Sequence, residues 1–75
     1  MFIDASALTA LLTEEDEARE LLARLQQTRT RLTSPLAVWE AAIAVAQELD
    51  LPIGEAAEAV ESYLALVEIE VTAVP

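Results

Sequence analysis

The sequence predicts an α/β fold, a small parallel sheet whose short strands alternate with four helices. Two observations lead to this prediction. The apolar run at residues 1–3 ends abruptly in a carboxylate. In residues 68–74, polar side chains alternate with apolar side chains, many of them β-branched. Both patterns are typical of strands. Between these two segments, apolar residues recur at helical spacing. Strands separated by helices are joined by crossover connections, which give a parallel sheet.

Length and composition limit the possible functions. A chain of 75 residues forms at most one small domain, which buries only about 60–65% of the surface that its unfolded form exposes. The sequence contains neither Cys nor His, which excludes disulfides, structural zinc sites, thiolate nucleophiles and histidine bases. Hydrophobic residues make up 55% of the chain, against a usual share of about 45–50% that already counts glycine. This excess suggests an apolar surface for a partner.

The chain is strongly acidic. Its net charge is −10, with 14 acidic residues and four arginines, all of which lie within residues 19–31. Such a charge repels polyanions, and any bound metal would be a hard cation with oxygen ligands. The start of the sequence does not resemble a signal peptide, and the nearly apolar run at residues 36–46 is too short to cross a bilayer. We therefore expect a cytoplasmic protein without membrane contact.

The first third of the chain is expected to contain one strand and two helices. Residues 1–3 form the first strand, which ends at Asp4, and Ser6 can cap a short helix over residues 7–12. Thr13 and Asp16 have the spacing of a capping box, so a second helix is expected to begin there and to fade near residues 27–30.

The remainder is expected to contain two longer helices and two strands. Residues 31–33 form a very short strand, and Ser34 and Pro35 are typical of a helix start. Residues 36–46 are apolar except for Glu40, so this helix is expected to be buried. Its polar end at residues 47–50 is expected to be exposed to solvent. Residues 51–54 make a turn, residues 55–67 a fourth helix, and residues 68–74 the last strand.

Two carboxylates, Asp4 and Glu40, are the candidate functional residues. Asp4 follows the first strand and lies at the carboxyl edge of the sheet, where open α/β sheets bind ligands, although it can equally cap the next helix. If Glu40 faces inward, a metal, another cation or strong hydrogen bonds must offset the cost of burying its charge. If Glu40 points to solvent, there is no such cost to offset. Together the two acids could bind Mg²⁺. Trp39 and Tyr63 are expected to be core or interface residues.

Two motifs carry a resemblance to a known family. The sequence MFIDASAL at residues 1–8 and TSPLAVWEA at residues 33–41 resemble the PIN domain, and more narrowly the VapC-type toxins of bacterial toxin–antitoxin pairs. The helix at 55–67 and the strand at 68–74 also fall where that family has them. The resemblance implies a metal-dependent endoribonuclease in which Asp4 and Glu40 are catalytic and hold Mg²⁺ or Mn²⁺. Ser6 matches the small hydroxyl residue near the first acid.

The resemblance also carries expectations about domain extent and partners. The family has roughly as much chain again, with further acids, so residues 1–75 are expected to be the amino-terminal part of a single PIN-like domain and inactive on their own. The implied partners are an RNA substrate and a cognate antitoxin that inserts a segment with an arginine near Asp4 and Glu40. Independently of the resemblance, the strand at 68–74 without a following helix and the nearly apolar helix at 36–46 leave apolar faces uncovered. A second copy of the chain, or the absent carboxy-terminal part, is expected to cover them. The alternative is a non-catalytic, acidic, helical protein-interaction module.

Overall fold

The structure is a computed structural model that describes residues 1–73, a range with four helices and a two-stranded sheet. In chain order the elements are α1 (Ala5–Leu12), α2 (Ala18–Gln26), β1 (Leu32–Thr33), α3 (Pro35–Leu49), α4 (Ile53–Leu66) and β2 (Glu70–Val71). The strands are parallel, so the predicted α/β fold is confirmed. Across residues 1–73, no helix combines the length and apolarity that crossing a bilayer requires.

β1 lies at the centre of the sheet. It pairs with β2 in the register Leu32↔Glu70 and Thr33↔Val71, and on its other side Leu32 forms a parallel bridge with Phe2. The amide of Ile3 donates to the carbonyl oxygen of Leu32 at 2.7 Å. The predicted first strand is thus present as a single bridge, because β1 is only two residues long and offers few backbone groups to pair with.

The first helix begins earlier than predicted. Asp4, and not Ser6, is the N-cap of α1, and its carboxylate accepts a hydrogen bond of 2.8 Å from the amide of Ala7. Ser6 lies inside the helix. Asp is at least as good an N-cap as Ser and follows the extended segment directly, so the helix begins at the first residue that can cap it.

The capping box predicted at Thr13 is wrong. Thr13 is the C-cap of α1, and its hydroxyl donates to the carbonyl oxygen of Thr9 at 2.8 Å. Glu14 then adopts a left-handed conformation with φ of 54°, which ends the helical path. As a result α2 begins only at Ala18.

The predicted start of α3 is confirmed. The Ser34 hydroxyl oxygen accepts a hydrogen bond of 3.0 Å from the amide of Ala37, and Pro35 occupies the first helical position. The helix ends at Leu49, after which Asp50 has left-handed angles (φ 53°, ψ 51°).

The last two elements differ from the prediction at their ends. α4 begins at Ile53, two residues early, because Pro52 precedes the helix and already has φ of −58°. β2 covers only Glu70–Val71 of the strand predicted at 68–74, since β1 offers two residues for pairing. The predicted strand residue Val74 and the chain end at Pro75 lie outside the described residues.

α3 packs against both α1 and α4, and its inner face is made of small side chains. The buried core comprises Ile3, Leu8, Leu11, Leu25, Ala41, Ala42, Val45, Ala56, Val60, Leu64 and Ile69. The prediction that α3 is buried nearly all round is wrong. Leu36 and Trp39 are exposed, because α1 and α4 cover only one side of this helix within residues 1–73.

Candidate functional site

Two strand-to-helix junctions lie side by side and build the site. Asp4 follows the bridge at Phe2 and caps α1, whereas Ser34 follows β1 and caps α3. The buried hydroxyl of Thr33 donates to the carbonyl oxygen of Ile3 at 2.8 Å and joins the two junctions just before their caps. The two helices therefore start at the same edge of the sheet.

Asp4 and Glu40, predicted from sequence as the site residues, line the same cleft. The cleft has a volume of about 310 Å³ and is lined by Phe2, Asp4, Ala5, Ser6, Ser34, Leu36, Ala37 and Glu40. Asp4 reaches it from the start of α1, and Glu40 from the second turn of α3. The structure thus brings together two acids that are 36 positions apart in sequence.

The Glu40 side chain is exposed on α3. Of the two sequence-based interpretations, an inward-facing and unpaired carboxylate is therefore excluded, and Glu40 needs no ligand to offset burial. An exposed carboxylate keeps its hydration until a ligand arrives, so Glu40 can bind a cation without the large desolvation cost of a buried charge.

Asp4 is oriented by its capping hydrogen bond. Its Oδ1 atom accepts from the amide of Ala7, whereas Oδ2 has no role in the cap. An ionised carboxylate has about four acceptor positions, so the cap leaves room for a further ligand. Capping of α1 and cation binding in the cleft are therefore compatible roles for Asp4.

The oxygen groups of this cleft fit part of a Mg²⁺ or Mn²⁺ site. Two carboxylates and the hydroxyls of Ser6 and Ser34 are hard ligands, and Mg²⁺ is commonly held by one or two carboxylates with water in the remaining positions. Within residues 1–73 there is no group of three or more His, Cys, Asp or Glu side chains that could hold a metal ion. The cleft thus contains two carboxylates that could serve as metal ligands, Asp4 and Glu40.

A second cleft adjoins the first. It has a volume of about 370 Å³, shares Ala5, Ser6 and Glu40 with the first cleft, and adds Thr9, Glu15, Ala44 and Glu48. Loss of hydration raises the pKa of the Glu15 carboxyl above its ordinary value of 4.5. The charge of Glu48 raises this pKa further, as do the adjacent Glu17 and Asp16. Negative charge therefore extends from Glu40 along this side of α3.

A larger cleft of about 640 Å³ lies away from Asp4 and Glu40. It is lined by Leu11, Glu14, Glu15, Asp16, Ala18, Arg19, Leu22 and Tyr63. Tyr63 is partly buried against the core, as predicted, and burial raises the pKa of its hydroxyl. This cleft contains neither of the two predicted site residues.

Sequence reasoning missed several residues of the two smaller clefts. Ser34 was predicted only as a cap, although it follows a strand just as Asp4 does, and that shared position was an available signal. Glu48 lies eight residues after Glu40 and hence on a similar side of α3, which periodicity could have indicated. Glu15 gave no such signal, because its position depends on the left-handed turn at Glu14.

The sequence matches the model of a known protein family. The family model described as "PIN domain" matches residues 1–75. It points to nuclease activity in general terms, and proteins of that kind typically depend on divalent metal ions. Among the curated proteins, no match is found.

Proposed function

The chain belongs to the PIN domain family, and from this premise we propose that it is the metal-dependent endoribonuclease toxin of a toxin–antitoxin pair, of the VapC type. The observation that supports the proposal most strongly is that Asp4 and Glu40 line one cleft, at the edge of the sheet where α1 and α3 begin. We further propose that the protein acts in the cytoplasm.

Asp4 and Glu40 would hold a Mg²⁺ or Mn²⁺ ion. When bound, such an ion supplies an activated water as the nucleophile and positive charge for the phosphodiester of RNA. The cap at Ala7 holds the Asp4 carboxylate in one orientation, so that Oδ2 can bind the ion. Glu40 approaches from α3 and completes the acidic pair.

The hydroxyls in the cleft have a separate role. Ser6 is exposed beside Asp4, and its hydroxyl can donate to a phosphate oxygen or to a water at the ion. Ser34 is largely buried and accepts from the amide of Ala37, so its proton remains available for donation toward the cleft. These groups orient a phosphate without adding negative charge.

The charge of the chain is consistent with an RNA substrate only if a cation is present. The net charge of −10 opposes approach of a polyanion. Arg31 is committed to the fold, because its guanidinium donates to the carbonyl oxygens of Thr28 and Val67 at 3.0 and 2.6 Å. Arg19, Arg24 and Arg29 are exposed and can contact phosphates at a distance from the two acids.

A cognate antitoxin is the proposed protein partner. An arginine from such a partner would pair with Asp4 and Glu40 and occupy the position of the metal ion. Exposed carboxylates in a cleft are suited to charge-assisted, bidentate hydrogen bonds with a guanidinium group. Binding of the antitoxin and binding of the metal would then be mutually exclusive.

A non-catalytic interaction module is the second candidate. It is favoured by the exposed apolar side chains on α3 and by the lack of a three-carboxylate group within residues 1–73. The mass of the protein expressed from its gene separates the two candidates. A mass near the 8.1 kDa of these residues favours the module, and a larger product favours the nuclease.

The test of nuclease function is cleavage of single-stranded RNA by the protein expressed from its gene. We expect cleavage with Mg²⁺ or Mn²⁺, loss of cleavage with EDTA, and loss of cleavage in Asp4→Asn. The matched control is Glu58→Gln, on the exposed side of α4, which should cleave as the unmodified protein does. Cleavage that persists in EDTA contradicts the proposal.

A further inference from the structure

Thr33 is the buried residue that connects the two strand-to-helix junctions. It is fully buried, and its hydroxyl donates to the carbonyl oxygen of Ile3 at 2.8 Å. Ile3 directly precedes the N-cap Asp4, and Thr33 directly precedes the N-cap Ser34. Thr33 does not line the cleft that contains Asp4 and Glu40, so any influence on that cleft is indirect.

The Thr33 hydroxyl takes the place of a backbone hydrogen bond. Where residues 1–3 pair with β1, the Leu32 amide donates to the Met1 carbonyl oxygen at 2.8 Å, and the Ile3 amide donates to the Leu32 carbonyl oxygen at 2.7 Å. In a regular parallel ladder the next donor, to the Ile3 carbonyl oxygen, is the amide of Ser34. Both segments leave the sheet at this point, and the side chain of Thr33 supplies that hydrogen bond.

This hydrogen bond restricts movements of α1 against α3 that core packing tolerates. Both helices contribute fully buried side chains to the core, Leu8 from α1 and Ala41 from α3. Apolar burial is non-directional, so it holds the two helices together but opposes a small sliding of one along the other only weakly. A hydrogen bond weakens steeply as its distance and angle change, so the contact of Thr33 with Ile3 opposes such sliding.

The position of each acid follows from the start of its helix. The Ala7 amide donates to Oδ1 of Asp4 at 2.8 Å, and the Ala37 amide donates to the Ser34 hydroxyl oxygen at 3.0 Å. Glu40 follows Ser34 by six residues on α3, which is about 9 Å along the helix axis. A shift of one helix start relative to the other therefore changes the separation of the two carboxylates.

We propose that Thr33 is a positioning residue of the Asp4–Glu40 site. Its hydrogen bond to Ile3 fixes the start of α1 relative to the start of α3 and thereby sets the affinity of the two acids for Mg²⁺ or Mn²⁺. The inference rests on the proposed metal site, but the coupling of the two junctions is a property of the metal-free protein and can be measured there. Residues that orient metal ligands without touching the ion commonly change metal affinity by about 10–100-fold.

The affinity for Mn²⁺, followed by the electron paramagnetic resonance signal of the free ion, measures the effect on the site. Thr33→Val removes the hydroxyl and should bind Mn²⁺ about tenfold more weakly than the unmodified protein. Thr33→Ser restores the hydroxyl and should recover most of the affinity. Val60→Ala is the control for lost stability, because Val60 is fully buried in α4 and away from both junctions. It should bind Mn²⁺ as the unmodified protein does.

Amide hydrogen exchange without metal measures the coupling of the junctions. The Ala7 and Ala37 amides donate to the two caps, and the Ala56 amide, which donates to the Pro52 carbonyl oxygen in α4, is the reference for a general loss of stability. Relative to Ala56, exchange at both cap amides should rise by about fivefold in Thr33→Val, the factor expected for one lost hydrogen bond. Thr33→Ser should reverse this rise.

A measurement on the unmodified protein makes the test independent of whether Thr33→Val folds. Cation binding that depends on the Thr33 contact must also stabilise that contact. Added Mg²⁺ should therefore slow the exchange of the Thr33 hydroxyl proton with solvent, as followed by nuclear magnetic resonance. The Thr13 hydroxyl, which is bonded to the Thr9 carbonyl oxygen at the other end of α1, should exchange at an unchanged rate.

Four results would overturn the role of Thr33. They are equal Mn²⁺ affinities of Thr33→Val and the unmodified protein, equal losses in Thr33→Val and Val60→Ala, exchange at the cap amides that rises no more than at Ala56, and a Thr33 hydroxyl proton that does not respond to Mg²⁺ although Mg²⁺ binds. Failure of the proposed function gives a different result, because the unmodified protein itself would then not bind Mn²⁺.

Discussion

The Thr33 hydroxyl donates a hydrogen bond of 2.8 Å to the carbonyl oxygen of Ile3, and Thr33 is fully buried. Each of these residues directly precedes a helix cap, Asp4 for α1 and Ser34 for α3. This single contact between side chain and backbone thus links the two junctions that carry the candidate site. Its loss should affect both the stability of the fold and the spacing of the two caps.

Thr33→Val should destabilise the protein by about 1–3 kcal/mol. Valine has nearly the same shape, so the change removes the hydrogen bond and leaves the Ile3 carbonyl oxygen with one fewer partner. Unfolding by urea measures the effect. Thr30→Val is the control, because the Thr30 side chain is exposed, and it should change stability by less than about 0.5 kcal/mol. Equal effects of the two changes contradict the importance of the contact.

Asp4 should show separable structural and charge effects. Asp4→Ala removes the cap of α1 and should cost about 1 kcal/mol, whereas Asp4→Asn keeps an oxygen for the Ala7 amide and should cost much less. Thermal unfolding without added metal measures both variants. If Asp4→Asn is as unstable as Asp4→Ala, the carboxylate charge, and not the cap, determines stability at this position.

Glu15 should make stability fall as pH rises through the range in which it ionises. Its pKa in the folded protein is raised above the ordinary 4.5, so the folded state binds a proton more tightly than the unfolded state. Stability is then lost as pH increases from about 4.5 through the raised pKa, and the loss remains at neutral pH. Glu15→Gln removes this penalty.

The measurement is the midpoint of thermal unfolding of Glu15→Gln and the unmodified protein at several pH values. The variant should be more stable at pH 7, a value at which carboxylates are ordinarily ionised, and the difference should shrink as the carboxyl becomes protonated in acid. Glu58→Gln, on the exposed side of α4, is the control and should lack this trend. A less stable Glu15→Gln at neutral pH contradicts the raised pKa.

Asp50→Gly should stabilise the protein by up to about 1 kcal/mol. Asp50 ends α3 with left-handed angles, which glycine adopts without steric cost. Glu48→Gly, inside the same helix, should instead destabilise by about 1 kcal/mol. Chemical denaturation of the two variants provides the comparison, and a destabilised Asp50→Gly would show that the Asp50 side chain contributes more than its backbone angles cost.

Sequence reasoning predicted the parts of the fold that depend on local chemistry. Ser34 and Pro35 define the start of α3 through capping and fixed φ, and these effects act within one turn. The start of α2 could not be predicted in the same way. Thr13 can cap the next helix or end the previous one, and the left-handed turn at Glu14 decides between these roles.

The two acids of the candidate site could be selected from the sequence, but the exposure of the residues around them could not. Asp4 and Glu40 stand out because each interrupts an apolar run. The exposure of Trp39 was not predictable from α3 itself, because a helix that is apolar on nearly all sides gives no sign of which side its neighbours cover. Packing of α1 and α4 on one face determines that exposure.

Titration with Mn²⁺ tests most directly the claim that Asp4 and Glu40 hold one metal ion. Binding to the unmodified protein, Asp4→Asn, Glu40→Gln and the double variant can be followed by the electron paramagnetic resonance signal of free Mn²⁺. Each single variant should bind much more weakly than the unmodified protein, and Glu58→Gln should bind unchanged. The double variant should be little weaker than either single variant, because residues that share one ion have non-additive effects. Additive losses, or a loss in Glu58→Gln as large as in Glu40→Gln, would contradict a shared site.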